Sequence, residues 1–193
     1  MIKAVIFDLG GVLLKGSVKD FAKKAGKLGF ELKNGSEACL DEKLLLGTSS
    51  LRQAFERLFE RKLFDHEFID LAKAYLENWQ LDEELFEYAK QLGKRYSLAI
   101  LSNSEKSYEE KYDGDLRKVF PVVLYSHRER MLKLDLEFFK LALKKLGVGP
   151  EEAVMVDDAR ENERACRQLG IHFVHYKNLE KLKKDLEMHG ARA

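Results

Sequence analysis

The chain reads as a doubly wound parallel α/β sheet carrying a small inserted helical unit, and three features of the sequence say so. Short β-rich runs alternate with amphipathic helical patterns from residue 83 onward, the signature of successive strand–helix–strand units. The central runs are nearly continuous in apolar character, as strands covered on both faces are. Residues 17–81, just after the first run, carry helical patterns alone.

The first strand is expected over residues 3–8, KAVIFD, and ends in Asp8, followed by the paired glycines Gly10 and Gly11. The stretches VKDFAKKAGKL, SSLRQAFERLFERK and HEFIDLAKAYLENW follow, punctuated by Gly29, Gly35 and Gly47; they predict a helical unit over 16–82. Residues 1–15 and 83–193 then form the sheet-bearing core. In that core a helix is expected at 83–94, a strand at 97–102 (SLAILS) and another at 121–125 (PVVLY). A helix at 135–146, a strand at 153–157 (AVMVD), a helix at 160–169 and a strand at 172–175 (HFVH) continue the alternation. The charged helix at 178–189 either packs on the outside or frays. The whole is a Rossmann-like arrangement.

Composition narrows the class. The 193 residues include 45% hydrophobic ones, ample for a core, and 34 basic residues nearly cancel 33 acidic ones. That balance provides no electrostatic footprint for nucleic acid or an anionic membrane. Two cysteines, Cys39 and Cys166, are too few for a disulfide framework and suit small core positions in a reducing compartment. The opening MIKAVIFDL, with one lysine and no small-residue cleavage site, is not expected to act as a signal peptide, and no apolar run reaches membrane-spanning length. A cytoplasmic protein is expected, monomer and homodimer both remaining open.

The chemistry gathers at strand ends. Asp8 closes the first strand, Ser102, Asn103 and Ser104 the second, Asp157 and Asp158 a later one. Parallel strands bring such ends to one edge, where ligands of these sheets sit. Carboxylates crowded there repel one another and call for a hard cation, of which magnesium is the natural candidate. Lys133, in RERMLKLDLEFF just before a helix, reaches toward the same point. Magnesium plus lysine neutralises a phosphoryl group, and Asp8 becomes the nucleophile of an aspartyl-phosphate. Ser102 caps the following helix or holds a phosphoryl oxygen, two compatible roles. Asn162 either bonds near the metal or caps its own helix. His66, His127, His172, His175 and His189 show no metal-ligand spacing and read as structural or exposed. Cys166 faces inward on its helix, and Phe55, Phe59, Phe68 and Trp79 fill the helical unit, with Trp79 also a candidate to border the cleft.

Four segments, VIFDLGGVLL, LAILSNS, KLDLEFFKLALKKLGV and VMVDDARENERACRQLGI, resemble the ordered motifs of the haloacid dehalogenase superfamily. The helical insertion sits where that family carries its small helical cap. The resemblance implies that Asp8 is the nucleophile and Lys133 the charge stabiliser. Ser102, with the Asn103 backbone, would hold the phosphoryl group. It implies a magnesium ion held by Asp8, the Gly10 carbonyl and Asp158, with Asp157 supporting from behind. The substrate implied is a small phosphorylated metabolite, sugar phosphates included.

Two departures stand out. Relatives usually read Lys-Pro-Asp where this chain has Lys133, Leu134 and Asp135; that removes a turn constraint but no chemical group. Most phosphatases of the superfamily have an aspartate where this chain has Gly10, and that aspartate protonates the leaving oxygen. Its loss leaves three alternatives: a slow enzyme, a leaving group acidic enough to depart unprotonated, such as a sugar 1-phosphate or acyl phosphate, or another donor, with His127 and acids of the cap as candidates. Gly10 alone would suit a 2-haloacid dehalogenase, whose halide needs no proton, but VDDARE keeps the acidic pair of a metal-dependent phosphatase. A degenerate member that binds without turnover is a further alternative. A receiver-like domain is disfavoured by the cap and the late acidic pair. Specificity is expected from residues around 16–20 and 44–52.

Overall fold

The computed structural model describes residues 1–31 and 41–193; Gly35 and Cys39 lie outside the described residues. Strands β1 (Ala4–Phe7) and β2 (Leu14–Lys15) are followed by helices α1 (Val18–Lys27), α2 (Glu42–Leu45), α3 (Leu51–Leu58) and α4 (Asp65–Leu76). Next come β3 (Gln80–Leu81), α5 (Glu83–Leu92), β4 (Ser97–Ser102), α6 (Lys106–Leu116), β5 (Val122–Tyr125) and α7 (Ser126–Glu129). The chain ends with α8 (Leu136–Leu146), β6 (Ala153–Asp157), α9 (Asn162–Leu169), β7 (His172–His175) and α10 (Leu179–Met188).

Five strands form one parallel sheet in the order β5-β4-β1-β6-β7, as expected of a doubly wound α/β fold. Alternate residues of β1 serve opposite faces: Val5 and Phe7 pack with α5, α6 and α10, whereas Ala4 and Ile6 pack with α8 and α9. Both sides of the strand are therefore dry, which is why its sequence shows no polar alternation. After β5 the chain crosses back over β4 and β1 to lay β6 on the far side of β1. The order reverses there, and the carboxyl ends of β4, β1 and β6 meet at that crevice.

The last helix does not fray. Leu179, Leu182 and Leu186 of α10 are buried in the core on the α5 side of the sheet. Helices α6 and α7 lie where the sequence pattern announced no element. A second surprise is the antiparallel pair β2–β3, with Leu14 opposite Leu81 and Lys15 opposite Gln80, since no strand was expected within 17–81. This pair carries both connections to the helical unit. Asp82 N donates to Leu13 O at 2.8 Å, the Lys15–Asp82 ion pair spans 2.7 Å, and Asn78 Nδ2 donates to Ser17 O at 2.7 Å.

The helical unit has an aromatic interior. Phe21 stacks on Phe55 with centroids 5.6 Å apart, and Tyr75 stands edge-on to Phe21 at 5.4 Å. Phe59 and Phe68 adjoin Phe55, as the spacing of these residues predicts. The unit touches the core through α2: Ser126 Oγ lies 2.7 Å from Leu45 O. Among the described residues no helix is long and apolar enough to cross a membrane.

Candidate active site

Asp8 directly follows β1, and its N–H continues the ladder by donating to Val156 O at 2.9 Å. The turn after it bends back at Gly11, which has φ +75°. A side chain there would be strained, and a Cβ would fall 2.3 Å from Asp158 Oδ2. Gly11 thus lets the β1 turn press against the acid that follows β6. Gly10 has no such constraint: a Cβ would meet nothing within 4 Å. Of the paired glycines, the sequence drew attention to the first, yet the second is the one the backbone requires.

Lys133 enters from the loop before α8. Asn103 Oδ1 accepts from Lys133 N at 2.9 Å, and Asp135 Oδ2 accepts from Leu132 N at 2.9 Å. These bonds shape the loop that a proline would otherwise constrain. The Lys133 ammonium then lies 2.7 Å from Asp8 Oδ2 and 2.8 Å from Asp157 Oδ2, in a site almost closed to solvent. Asp157 is fully engaged: Oδ2 also accepts from Asn162 Nδ2 at 2.9 Å, and Oδ1 accepts from Ala159 N at 2.8 Å. Asn162 therefore serves Asp157 rather than capping its own helix.

One carboxylate oxygen each from Asp8, Asp157 and Asp158 lie within 4.8 Å of one another. Asp158 is the exposed member, opening toward the cleft. The electrostatics are those of an acid cluster short of positive charge. Burial pushes the Asp8 carboxyl up to about 7, Asp157 adds to the rise, and Lys133 opposes it. Burial and Asp157 likewise raise Asp158. Burial disfavours the Lys133 charge, but Asp8 and Asp157 outweigh it and hold its ammonium above the ordinary lysine value. Two close carboxylates with raised proton affinity and oxygen-only donors fit a hard divalent cation.

Ser102, the last residue of β4, is buried at the floor of a cleft of about 480 Å³, with Asn103 and Ser104 beside it. Leu9, Leu14, Val18, Trp79 and Tyr108 form much of its wall. Trp79 does border the cleft; Phe55, Phe59 and Phe68 do not line it. Residues 16 and 18 of the stretch expected to set specificity reach the cleft, whereas none of 44–52 does.

His127 is not free to act. Its Nδ1 is 2.9 Å from Ser104 O and its Nε2 is 2.9 Å from Glu109 Oε2, so both ring nitrogens are committed inside the core. The sequence pattern missed this buried group of Ser104, Glu109, Ser126 and His127, because it joins two elements with no shared motif. Cys166 is buried, as expected of a core thiol.

The family described as haloacid dehalogenase-like hydrolase matches residues 2–170. The "Phosphorylated carbohydrates phosphatase" of Thermotoga maritima is 24% identical over 184 residues, covering 90% of this chain and 84% of that protein. "Acyl-CoA dehydrogenase family member 10" of Mus musculus is 38% identical over 95 residues; the match spans 49% of this chain but only 9% of the mouse protein's length. Among solved structures, a HAD family enzyme of Bacteroides thetaiotaomicron, in complex with magnesium and inorganic phosphate, superposes with a TM-score of 0.78 at 19% identity, over 92% of this chain and 95% of that one. The L-2-haloacid dehalogenase of Xanthobacter autotrophicus with covalently bound chloropropionic acid gives a TM-score of 0.65 at 19% identity, over 100% of this chain and 85% of that one. At such identities the structural likeness establishes the fold.

Proposed function

This chain belongs to the haloacid dehalogenase-like hydrolase family, and from that premise we propose that it is a magnesium-dependent phosphatase of a small phosphorylated metabolite, working through an aspartyl-phosphate on Asp8. The observation that carries the reading is the buried Lys133 bridging Asp8 and Asp157, with Asp158 within 4.8 Å. A dehalogenase attacking carbon has no need of a second and third acid beside its nucleophile. The T. maritima relative supports a carbohydrate phosphate as substrate.

In this reading Asp8, the Gly10 carbonyl and Asp158 hold the magnesium ion, and Asp157 fixes the site from behind through Lys133 and Asn162. Magnesium when bound supplies charge neutralisation for the phosphoryl oxygens and keeps Asp8 ionised. Lys133 neutralises a further phosphoryl oxygen, and Ser102 and the Asn103 N–H hold others. An Asp8 oxygen bonds to phosphorus while the ester P–O bond breaks; water then attacks phosphorus, the Asp8–phosphorus bond breaks, and the carboxylate is restored. Residues 16–82 act as the cap whose opening admits substrate and whose closure excludes water.

A panel of phosphorylated metabolites, assayed with and without magnesium against Asp8→Asn, tests the proposal. Magnesium-dependent phosphate release by the native chain and none by the variant is the expected result. Chloride release from a 2-chloroacid that persists in the presence of a chelator would overturn it.

A further inference from the structure

The reaction just described assigns a nucleophile and phosphoryl-binding groups, but no proton donor to the oxygen that departs. Gly10 offers no side chain, and neither crowding nor a left-handed backbone requires glycine there. The cleft wall offers no replacement in the form of a histidine, lysine or arginine among the described residues. Its carboxyls are Asp158, within the acid cluster, and Glu161, exposed at the rim. His127 is sequestered by Ser104 O and Glu109. The rest of the wall is uncharged: Leu9, Leu14, Val18 and Trp79 are apolar, and Ser102, Asn103 and Ser104 are neutral. Tyr108 is a phenol only 5% exposed that meets Trp79 edge to face at 6.0 Å.

We infer that the enzyme selects phosphate monoesters of acidic hydroxyls carried on a neutral ring, that is, aryl or anomeric (1-)phosphates, and discriminates against phosphates of ordinary alcohols. The inference rests on the phosphatase reading above. In a loose phosphoryl-transfer transition state the departing oxygen gains negative charge before anything neutralises it. Positioned proton donation relieves that charge and typically contributes about 10²–10⁴-fold. Without it the P–O bond breaks with its electron pair on the leaving oxygen, and the anion takes its proton from water afterwards. A phenol, with a pKa of about 10, tolerates this far better than an alkanol, whose pKa lies close to water's, about 15.7. Among the described residues the wall carries no cationic side chain, so a second anionic group on the substrate has no partner there, while Trp79 and Tyr108 supply aromatic surface.

The same deficit acts twice. A group that protonates the leaving oxygen also removes a proton from the incoming water, by microscopic reversibility. Gly10 therefore slows hydrolysis of the aspartyl-phosphate as well, a step common to every substrate. Leaving-group selection accordingly appears in kcat/KM rather than in kcat.

The test measures kcat/KM with magnesium for 4-nitrophenyl phosphate, phenyl phosphate, acetyl phosphate, a hexose 1-phosphate and its 6-phosphate isomer. The 1-phosphate is expected to exceed the 6-phosphate by more than about 10²-fold, with a steep fall from 4-nitrophenyl to phenyl phosphate. Gly10→Asp is expected to shrink both ratios. Trp79→Ala is expected to raise KM for phenyl phosphate about tenfold more than for ringless acetyl phosphate, a modest aromatic contribution. A flat dependence on leaving-group acidity in the native chain, or equal losses on the two substrates in Trp79→Ala, would overturn the inference while the phosphatase reading stands. Hydrolysis of none of the five would remove that reading itself.

Discussion

The ammonium of Lys133 lies 2.7 Å from the Asp8 carboxylate, and both side chains are shut away from solvent. With Asp157 at 2.8 Å on its other side, one buried cation answers two buried anions. Removing the cation of such a set strands both carboxylates, at a cost of about 3–5 kcal/mol, whereas removing Asp8 leaves Lys133 paired with Asp157. Lys133→Gln is expected to lose that much stability in a denaturant titration of the metal-free protein, together with its activity. An unshifted midpoint would show that the carboxylates have another counter-charge.

Asp8 ties stability and metal binding to pH. Its carboxyl rises from 3.8 to about 7 on folding, chiefly through burial. The folded chain thus binds this proton more tightly than the unfolded chain. Its contribution to metal-free stability is full below 3.8 and lost as pH climbs through about 7. If Asp8 holds magnesium as proposed, the ion has to displace the proton, and its affinity is expected to fall up to about tenfold per pH unit below neutrality. Calorimetric titrations at two pH values, each in two buffers of different ionisation enthalpy, would register the released proton. In the metal-free protein above neutral pH, Asp8→Asn is expected to melt higher than the native chain.

The two glycines after Asp8 should respond in opposite ways. At Gly11 a methyl group meets both a positive φ and Asp158 Oδ2 at 2.3 Å. Gly11→Ala is expected to lose about 1–3 kcal/mol and to weaken magnesium binding by displacing Asp158. Gly10→Ala, with open space around its Cβ, is expected to melt within about a degree or two of the native chain. Thermal melts with and without magnesium separate the two. Equal losses at both positions would contradict the geometry.

The hydroxyl of Ser126 fastens α2 to the core, 2.7 Å from Leu45 O, and accepts from Ser104 N at 3.0 Å. Gly47, with φ +69°, passes so close to His127 O that a Cβ would lie 2.5 Å away. Ser126→Ala is expected to cost about 1–3 kcal/mol through the stranded Ser104 N–H. It should also speed amide exchange over residues 42–47 and raise KM. Unchanged exchange there would mean that this contact does not hold α2 in place.

Much of this molecule was readable before its coordinates. The three central parallel strands announce themselves because both sheet faces are dry, so AVIF and the LAIL and AVMV within β4 and β6 are unbroken apolar runs. Asp8, Lys133, Asp157 and Asp158 converge because parallel topology gathers strand ends, a consequence of order along the chain rather than of fine packing. Helix α6 escaped notice because its buried face is made of Tyr108, Glu109, Tyr112 and Leu116, a polar-looking set with Gly114 in its midst. The pair β2–β3 is two residues on each side, too short for any periodicity. The difference between Gly10 and Gly11 lies in a backbone angle and one neighbouring carboxylate, neither of which composition reveals.

The β2–β3 pair sets Lys15 and Gln80 across from each other, so the helical unit leaves and re-enters the core through adjacent positions. Facing residues of an antiparallel pair are only about 4.5–5.5 Å apart. Splicing a different insert between them leaves the pairing of Asp8 with its strand neighbours untouched, provided the replacement shelters Leu14. In the phosphatase reading this junction is where the helical unit is expected to be exchangeable, by evolution or at the bench, without redrawing the sheet, while the groups that Gly10 and Tyr108 contribute to the cleft stay with the core.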